Sequence, residues 1–115
     1  MKPRDVQRME HIVDYCEDIE DTLLSIDQSS ERFFGERQAQ YAIAFSILQI
    51  GELVGKLSDE LRSETKDQMD WPAIKGMRNI IVHDYGEIRL NVVWDVATHD
   101  IPNLKAFCLK QLDEA

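Results

Sequence analysis

Apolar residues recur every three or four positions along nearly the whole chain, and this spacing is the feature that most restricts the fold. In the first segment they keep this spacing from Val6 to Ile26, with one missed turn at Glu20. An amphipathic α-helix has this period because about 3.6 residues complete one turn. The sequence contains no internal repeat and no run that alternates over the length a half-buried strand needs. We therefore predict an all-α protein.

Four segments carry the helical pattern. They cover residues 4–26, residues 39–57, Trp71 to about Asp84, and a stretch that begins at Leu90 or Asn91. Proline has no backbone N–H, so Pro102 should kink or end the last stretch, with Asp100 as a candidate N-cap for a final segment. Residues 58–69 are polar and are predicted to form a short helix or a loop. Short connections favour an antiparallel bundle of four to five helices.

Local signals mark the first half of this bundle. Turn-forming residues at 27–30 end the first helix, and Phe33 and Phe34 behind them are expected to plug one end of the core. Gly51 lies inside the second helix, where glycine costs about 1 kcal/mol relative to alanine. A glycine in such a place indicates the close approach of another backbone.

The third helix has a clear start and a candidate end. Asp70 is a good N-cap, and Pro72 is tolerated in the first turn because its missing N–H would have no partner there. Gly86, after Tyr85, can adopt the left-handed conformation that often ends a helix.

Length and charge exclude several classes of protein. The 115 residues match one domain, so we treat residues 1–115 as a single helical domain. The chain has 13 Lys and Arg against 22 Asp and Glu, a net charge of −9. Broad binding to DNA or to an anionic membrane needs clustered basic residues, so we expect neither partner. A small local phosphate site remains compatible with this charge.

The sequence predicts a soluble, cytoplasmic protein. The first ten residues have no apolar stretch of the kind found in a secretory signal. The most apolar run, residues 41–57, is interrupted by Gln49, Glu52 and Lys56, so it is too polar to span a membrane. Cys16 and Cys108 lack metal-binding spacing and are predicted to be reduced thiols in the core.

Four common catalytic or cofactor-binding motifs are absent from the sequence. There is no glycine-rich phosphate loop, no G-x-S-x-G elbow, no H-E-x-x-H and no Cys/His cluster with zinc spacing. The carboxylates of the first helix follow its outer face, which is typical of a solvated surface. We therefore predict no metal and no cofactor.

One segment combines residue types that suit phosphodiester cleavage. Arg78, His83 and Tyr85 follow the pattern Arg-x4-His-x-Tyr, with Asn79 beside the arginine. If the helix continues to His83, about 140° separates that residue from Arg78, so both flank one edge. A histidine can accept a proton from a ribose 2′-OH or donate one to a leaving 5′-oxygen. An arginine can hold the phosphate oxygens while negative charge builds.

A purely structural role explains the same residues. A helix C-terminus favours a histidine through the helix dipole, and a surface arginine commonly pairs with a nearby acid. Tyr85 could simply cover the core with its hydroxyl outside. Glu52 has two interpretations as well: a supporting role in the site, or a simple ion pair with a nearby arginine.

The motif and its surroundings resemble the HEPN superfamily, in particular its HepT branch. The Arg-x4-His-x-Tyr pattern is similar to the signature of that branch, and Ile50-Gly51-Glu52 is similar to its Ile-Gly-Glu signature. The run from Trp71 to Asn79 resembles the family's approach to the motif, and Trp94 and residues 101–104 match its C-terminal pattern. The resemblance covers most of the chain.

The resemblance implies a specific activity and specific partners. It implies a metal-independent endoribonuclease that acts on RNA as a homodimer, with Arg78, His83 and Asn79 in a cleft at the two-fold axis, supported by Glu52 and Asp84. It also implies the toxin of a type VII-like toxin–antitoxin pair. The antitoxin would be an MntA-like nucleotidyltransferase that transfers AMP to Tyr85, and ATP and Mg²⁺ would belong to that partner.

Two alternatives remain open from the sequence. The chain could be a non-catalytic helical module that partners or regulates a nucleotidyltransferase, which the acidic surface favours. It could also be a structural bundle in which Arg78 and His83 lie away from any cleft.

Overall fold

The computed structural model describes residues 1–83 and 87–115, and for Ile80, Val82, His83 and Glu87 it describes the backbone alone. Within these residues the chain is almost entirely helical. The elements are α1 (Pro3–Ser25), α2 (Ser30–Gly35), α3 (Arg37–Lys56), α4 (Asp59–Glu64), α5 (Trp71–Ile81), β1 (Val82–His83), β2 (Glu87–Ile88), α6 (Leu90–Asp95), a π-helical segment (Val96–Asp100) and α7 (Ile101–Asp113). The all-helical prediction is confirmed, apart from one two-residue strand pair.

Four long elements form the bundle. Helix α1 packs along α3 and α7, and α3 also packs along α5. Helices α1 and α3 are antiparallel, since Tyr15 contacts Phe45 while Arg8, nearer the start of α1, donates a hydrogen bond to the Lys56 carbonyl at the end of α3. The side chains buried most completely are large and apolar and come from these four helices and from α2 and α6: Met9, Ile12, Ile19, Phe33, Ile43, Ile47, Ile50, Val54, Ile81, Val93, Ile101 and Leu104.

The turn after α1 confirms the break predicted at residues 27–30. Asp27 and Gln28 have φ angles of 56° and 54°, the left-handed region that ends many helices. Helix α2, which the sequence pattern did not predict, then begins with the Ser29 hydroxyl accepting from the backbone N–H of Arg32. Of the two phenylalanines, only Phe33 plugs the core, because Phe34 keeps 46% of its surface exposed.

The junction between α3 and α4 is tied to α1 by a buried carboxylate. Asp5 is only 2% exposed and accepts hydrogen bonds from the backbone N–H and the hydroxyl of Ser58, at 2.9 and 2.5 Å. The same hydroxyl accepts from the Leu61 N–H and so caps α4. Residues 58–69 therefore include a short helix.

The helical backbone continues through Pro102 without a break. Asp100 has helical dihedral angles and no capping hydrogen bond, so its predicted role as an N-cap is wrong. The helix instead widens into a π turn, in which the Ile101 N–H bonds to the Val96 carbonyl. The Thr98 hydroxyl donates to the Trp94 carbonyl at 2.8 Å, which helps satisfy the backbone of the widened turn.

The prediction that the third helix reaches Asp84 is wrong, because α5 ends at Ile81. Val82 and His83 are extended and pair in antiparallel register with Ile88 and Glu87. The run of β-branched residues at 80–82 explains the change, because such side chains prefer extended backbone. The Ile81 carbonyl accepts the N–H of Arg89 at 2.9 Å, which extends the pairing. The predicted helix end at Tyr85 and Gly86 lies outside the described residues.

Both cysteines are free and buried, as predicted. Burial raises the pKa of each thiol to about 12, so both remain protonated at neutral pH. In the part of the chain that the structure describes, no helix is both long and apolar enough to cross a membrane.

Candidate functional site

Helix α5 carries the first half of the predicted motif and is firmly anchored at its start. The Asp70 carboxylate accepts from the Ala73 N–H at 3.1 Å, which confirms the predicted N-cap. The Trp71 ring is buried, and its indole N–H donates to the Thr65 hydroxyl at 2.9 Å. That hydroxyl in turn donates to the Leu61 carbonyl at 2.7 Å. This chain of hydrogen bonds fixes the start of α5 against the turn that precedes it.

The two faces of α5 have opposite character. Trp71, Ile74, Met77 and Ile81 are spaced by three or four residues and are buried against the bundle. Arg78 lies at the border of this buried stripe, about 40° around the helix from Ile74, and keeps 63% of its side chain exposed. Asn79 is exposed as well. Both side chains are thus accessible at the surface of α5.

The close approach of α3 and α5 brings a carboxylate to this edge. A Cβ atom on Gly51 would lie 3.8 Å from the backbone carbonyl oxygens of Ile74 and Lys75. The glycine thus lies where another backbone comes near, as predicted, and the 3.8 Å spacing would still accommodate a methyl group. Glu52, the next residue of α3, is consequently within reach of the side chains of α5.

Arg78 and Glu52 form an ion pair on this surface. The Arg78 Nη1 donates to the Glu52 Oε1 at 2.5 Å, and the two side chains are 63% and 48% exposed. An exposed pair of this kind contributes about 0–1 kcal/mol to folding, so it has little structural value. Its main effect is to hold the guanidinium in one orientation, and a guanidinium has further N–H donors that can bind a ligand outside the bundle.

The remaining residues of the motif follow α5 in the chain. The backbone of His83 lies in β1 opposite Glu87, two residues beyond the end of the helix. The predicted arrangement of Arg78 and His83 along one continuous helix is therefore wrong. Asp84 and Tyr85 lie outside the described residues. The structure thus joins Arg78 to Glu52 and places Asn79 beside them on α5.

Metal ligands are not grouped in the part of the chain that the structure describes. No cluster there has three or more His, Cys, Asp or Glu side chains in an arrangement that could hold an ion. Apart from the buried Asp5, the acidic residues of α1 lie on its outer face.

Comparison with known proteins identifies the family of this chain. The profile of the family described as Ribonuclease HepT-like matches residues 12–110. With this match over most of its length, the chain belongs to the HepT-like family of the HEPN superfamily. No solved structure matches the chain.

Individual relatives agree with this assignment. A "Putative RNase" of Caldanaerobacter subterraneus subsp. tengcongensis is 31% identical over 97 residues, which are 84% of each chain. A "Probable ribonuclease HepT" of Thermococcus cleftensis is 26% identical over 80% of this chain and 87% of its own. A "Gamma-glutamylcyclotransferase and putative RNase" of Methanocaldococcus jannaschii is 32% identical over 92% of this chain. This chain spans 46% of that longer relative.

Proposed function

We propose that this protein is a metal-independent endoribonuclease of the HEPN type. Its RNA-cleaving site would use Arg78 and His83 as catalytic residues, with Asn79 assisting. The observation that supports this most directly is the orientation of Arg78, which is exposed, held by Glu52 at 2.5 Å and placed in the last turn before the motif histidine. Membership of a family described as ribonucleases supports the reaction class.

The proposed reaction needs no nucleophile from the protein. The ribose 2′-oxygen attacks the adjacent phosphorus and loses its proton to a histidine, and the bond to the 5′-oxygen breaks as that oxygen receives a proton. The products are a 2′,3′-cyclic phosphate and a free 5′-hydroxyl. Arg78 stabilises the charge on the phosphate oxygens. One histidine cannot serve as base and acid at the same moment, so we propose a homodimer in which two copies of the motif face one phosphate.

A cleavage assay in EDTA tests this proposal. Purified, unmodified protein is incubated with a short single-stranded RNA, and the products are resolved by electrophoresis with their end groups identified. We expect cleavage that is unchanged by EDTA and leaves cyclic phosphate ends. Activity that requires a divalent ion would contradict the proposal.

We further propose that the chain is the toxin of a toxin–antitoxin pair. An MntA-like nucleotidyltransferase would neutralise it by transferring AMP to Tyr85. The added phosphate would bring negative charge to the motif and repel RNA. The family match supports this assignment, because the tyrosine in the Arg-x4-His-x-Tyr pattern is the feature that resembles the HepT branch.

The ion pair itself favours a second candidate function. Glu52 neutralises the cation that would grip phosphate, and the chain is acidic overall. Both facts suit a non-catalytic module that binds a nucleotidyltransferase. Such a module would show no cleavage at any protein concentration in the same assay.

The Arg78–Glu52 contact makes Glu52 a positioning residue. Two substitutions separate the effect of its negative charge from its effect on the orientation of Arg78. Glu52→Gln keeps an oxygen acceptor for Arg78 but removes a negative charge near the phosphate. We expect its KM for RNA to fall about threefold, the scale of one charge acting across ~6 Å of water. Glu52→Ala releases the guanidinium, and we expect kcat to fall about tenfold through its loss of orientation.

A distant acid provides the control for this pair. Glu10 is exposed on α1, and Glu10→Gln makes the same change in net charge without touching Arg78. Steady-state kinetics on all three variants should leave Glu10→Gln close to wild type. If both Glu52 variants also match Glu10→Gln, Glu52 has no role in the site.

A further inference from the structure

Helix α5 carries positive charge in a chain that is acidic overall. Its eleven residues include Lys75 and Arg78 and no acid, whereas the whole chain has a net charge of −9. The two cations are three residues apart, so about 4.5 Å separates them along the helix and about 60° around it. RNA phosphates are attracted to such a local excess of basic side chains. Helix α5 is therefore a better surface for an RNA strand than the net charge of the chain suggests.

Lys75 lies against a glycine of α3 rather than against a carboxylate. A Cβ atom on Gly55 would be 3.5 Å from the Cε and 3.9 Å from the Cδ of Lys75, so the end of the lysine stem runs over the bare backbone of α3. One turn earlier in α3, Glu52 forms the ion pair with Arg78. Among the residues that the structure describes, Lys75 has no carboxylate partner of this kind. Lys75 can therefore offer its charge to a ligand beside Arg78.

The surface continues from Lys75 into a groove between α4 and the start of α5. This groove has a volume of about 640 Å³, and its charged lining is formed by Arg62, Lys66 and Lys75 together with Asp59 and Asp70. Both acids are already engaged, because Asp59 is ion-paired with Arg62 at 2.7 Å and Asp70 caps α5. Lys66 and Lys75 consequently give the groove its positive character.

The lining of the groove suits a single RNA strand. Lysine binds a phosphate as a point charge, so it holds the backbone without reading the sequence of bases. Met69 and Pro72 add apolar surface, against which a ribose or a base can pack. Because Arg78 and Lys75 are one turn apart, a strand with its scissile phosphate at Arg78 can place the neighbouring phosphate at Lys75 and then enter the groove.

We propose that Lys75 binds the RNA phosphate next to the scissile one, and that the groove lined by Lys66 holds the strand beyond it. This inference rests on the proposed nuclease and adds to it a second phosphate site and the path of the strand on one side of the cut. The contacts with RNA would lie along α5 and α4, away from the acidic outer face of α1. Lys75 would hold the substrate and take no part in the chemical step.

RNA length separates the second phosphate site from the catalytic site. A dinucleoside monophosphate has the scissile phosphate alone, whereas a single-stranded hexanucleotide also has a neighbouring phosphate for Lys75. The kcat and KM for cleavage of both RNAs are measured for wild type, Lys75→Gln, Lys75→Arg and Lys66→Gln. Lys110→Gln is the matched control, because Lys110 is exposed on α7 and does not line the groove. Circular dichroism checks that each variant folds.

A binding measurement on the same proteins does not depend on cleavage. The probe is a fluorescent hexanucleotide with 2′-O-methyl groups, which lacks the attacking hydroxyl. Its Kd is measured by fluorescence anisotropy over a series of salt concentrations. The slope of log Kd against log salt counts the phosphates that the protein contacts, at about 0.7 for each phosphate of a single strand.

We expect Lys75→Gln to raise the KM for the hexanucleotide about tenfold, the scale of one hydrogen bond to a charged group, and to leave kcat unchanged. Its salt slope should fall by about 0.7. On the dinucleoside monophosphate, Lys75→Gln should match wild type, because the second phosphate is missing. Lys75→Arg keeps the charge and should bind both RNAs like wild type. Lys66→Gln should weaken binding of the hexanucleotide by a smaller factor.

Each contrary result removes a different part of the proposals. If Lys75→Gln and Lys110→Gln cleave the hexanucleotide alike, the inference is wrong and the nuclease stands. An equal loss on both RNAs would place Lys75 at the scissile phosphate and overturn the second site. A match between Lys66→Gln and the control would overturn the path along the groove. If wild type cleaves neither RNA, the nuclease is wrong. Weaker binding of the 2′-O-methyl probe to Lys75→Gln would then still support the phosphate site, and unchanged or absent binding would overturn it.

Discussion

His83→Ala is expected to lower the rate of RNA cleavage by about 10²–10⁴-fold, the usual contribution of a general acid or base. The imidazole is the one group of the motif that can exchange protons near neutral pH, so no neighbouring residue replaces it. The rate is measured under single-turnover conditions with excess protein, so that weak RNA binding does not mask the chemical step. His11→Ala is the matched control, because His11 is exposed on α1, away from α5.

Arg78→Ala should lower the rate of RNA cleavage by a similar factor. The cause would be the loss of charge stabilisation on the phosphate rather than the loss of proton transfer. Arg78→Lys should recover only a small part of it, because lysine keeps the charge but cannot hold two phosphate oxygens with a planar fork. Arg4→Ala, an exposed arginine at the start of α1, is the control. Wild-type rates in His83→Ala and Arg78→Ala would show that the motif is structural, and the binding-module hypothesis would then take its place.

The second large expected effect is the transfer of AMP to Tyr85, which would be detected as an increase in the mass of the protein. When the chain is produced together with an MntA-like nucleotidyltransferase, we expect its mass to rise by whole AMP units. The phenolic oxygen would attack the α-phosphorus of ATP, lose its proton, and displace pyrophosphate. The modified protein should lose its RNase activity, because a bulky anion on the motif would repel the RNA phosphates.

Intact mass spectrometry of two tyrosine variants measures this effect. Tyr85→Phe lacks the acceptor oxygen, so it should keep the unmodified mass and remain active beside the partner. Tyr41→Phe is the matched control, because Tyr41 is the exposed tyrosine of α3 and should leave the modification unchanged. AMP on Tyr85→Phe would assign the modification to another residue. An unmodified wild-type chain would remove the antitoxin part of the proposal and leave the nuclease part standing.

Periodicity predicted the helices well wherever one face of a helix is buried along its whole length. Helices α1 and α3 begin and end within two residues of the predicted bounds, because each keeps a continuous apolar stripe. The prediction was wrong at the end of α5, where the run of residues 80–82 is as apolar as a helix core. Apolar character alone does not separate a buried helix from a buried strand in so short a run.

Contacts between residues that are far apart in the sequence account for features of the structure that the sequence did not predict. Nothing local marks Asp5 as buried, since its partner Ser58 lies 53 residues away. At the site, the exposure of Asn79 follows from the helical period, whereas Arg78 is four residues from the buried Ile74 and its exposure does not. Which of the two interpretations of Glu52 applies depends on the distance between α3 and α5, which only the fold sets.

The two buried thiols have a practical consequence for the study of this protein in solution. A thiolate is the species that reacts with maleimides, and Cys16 and Cys108 are both shielded and protonated at neutral pH. A cysteine introduced at an exposed position would therefore be the preferred site for a spin label or a fluorophore. Pairwise distances between such labels on two copies could then be read without altering either native thiol.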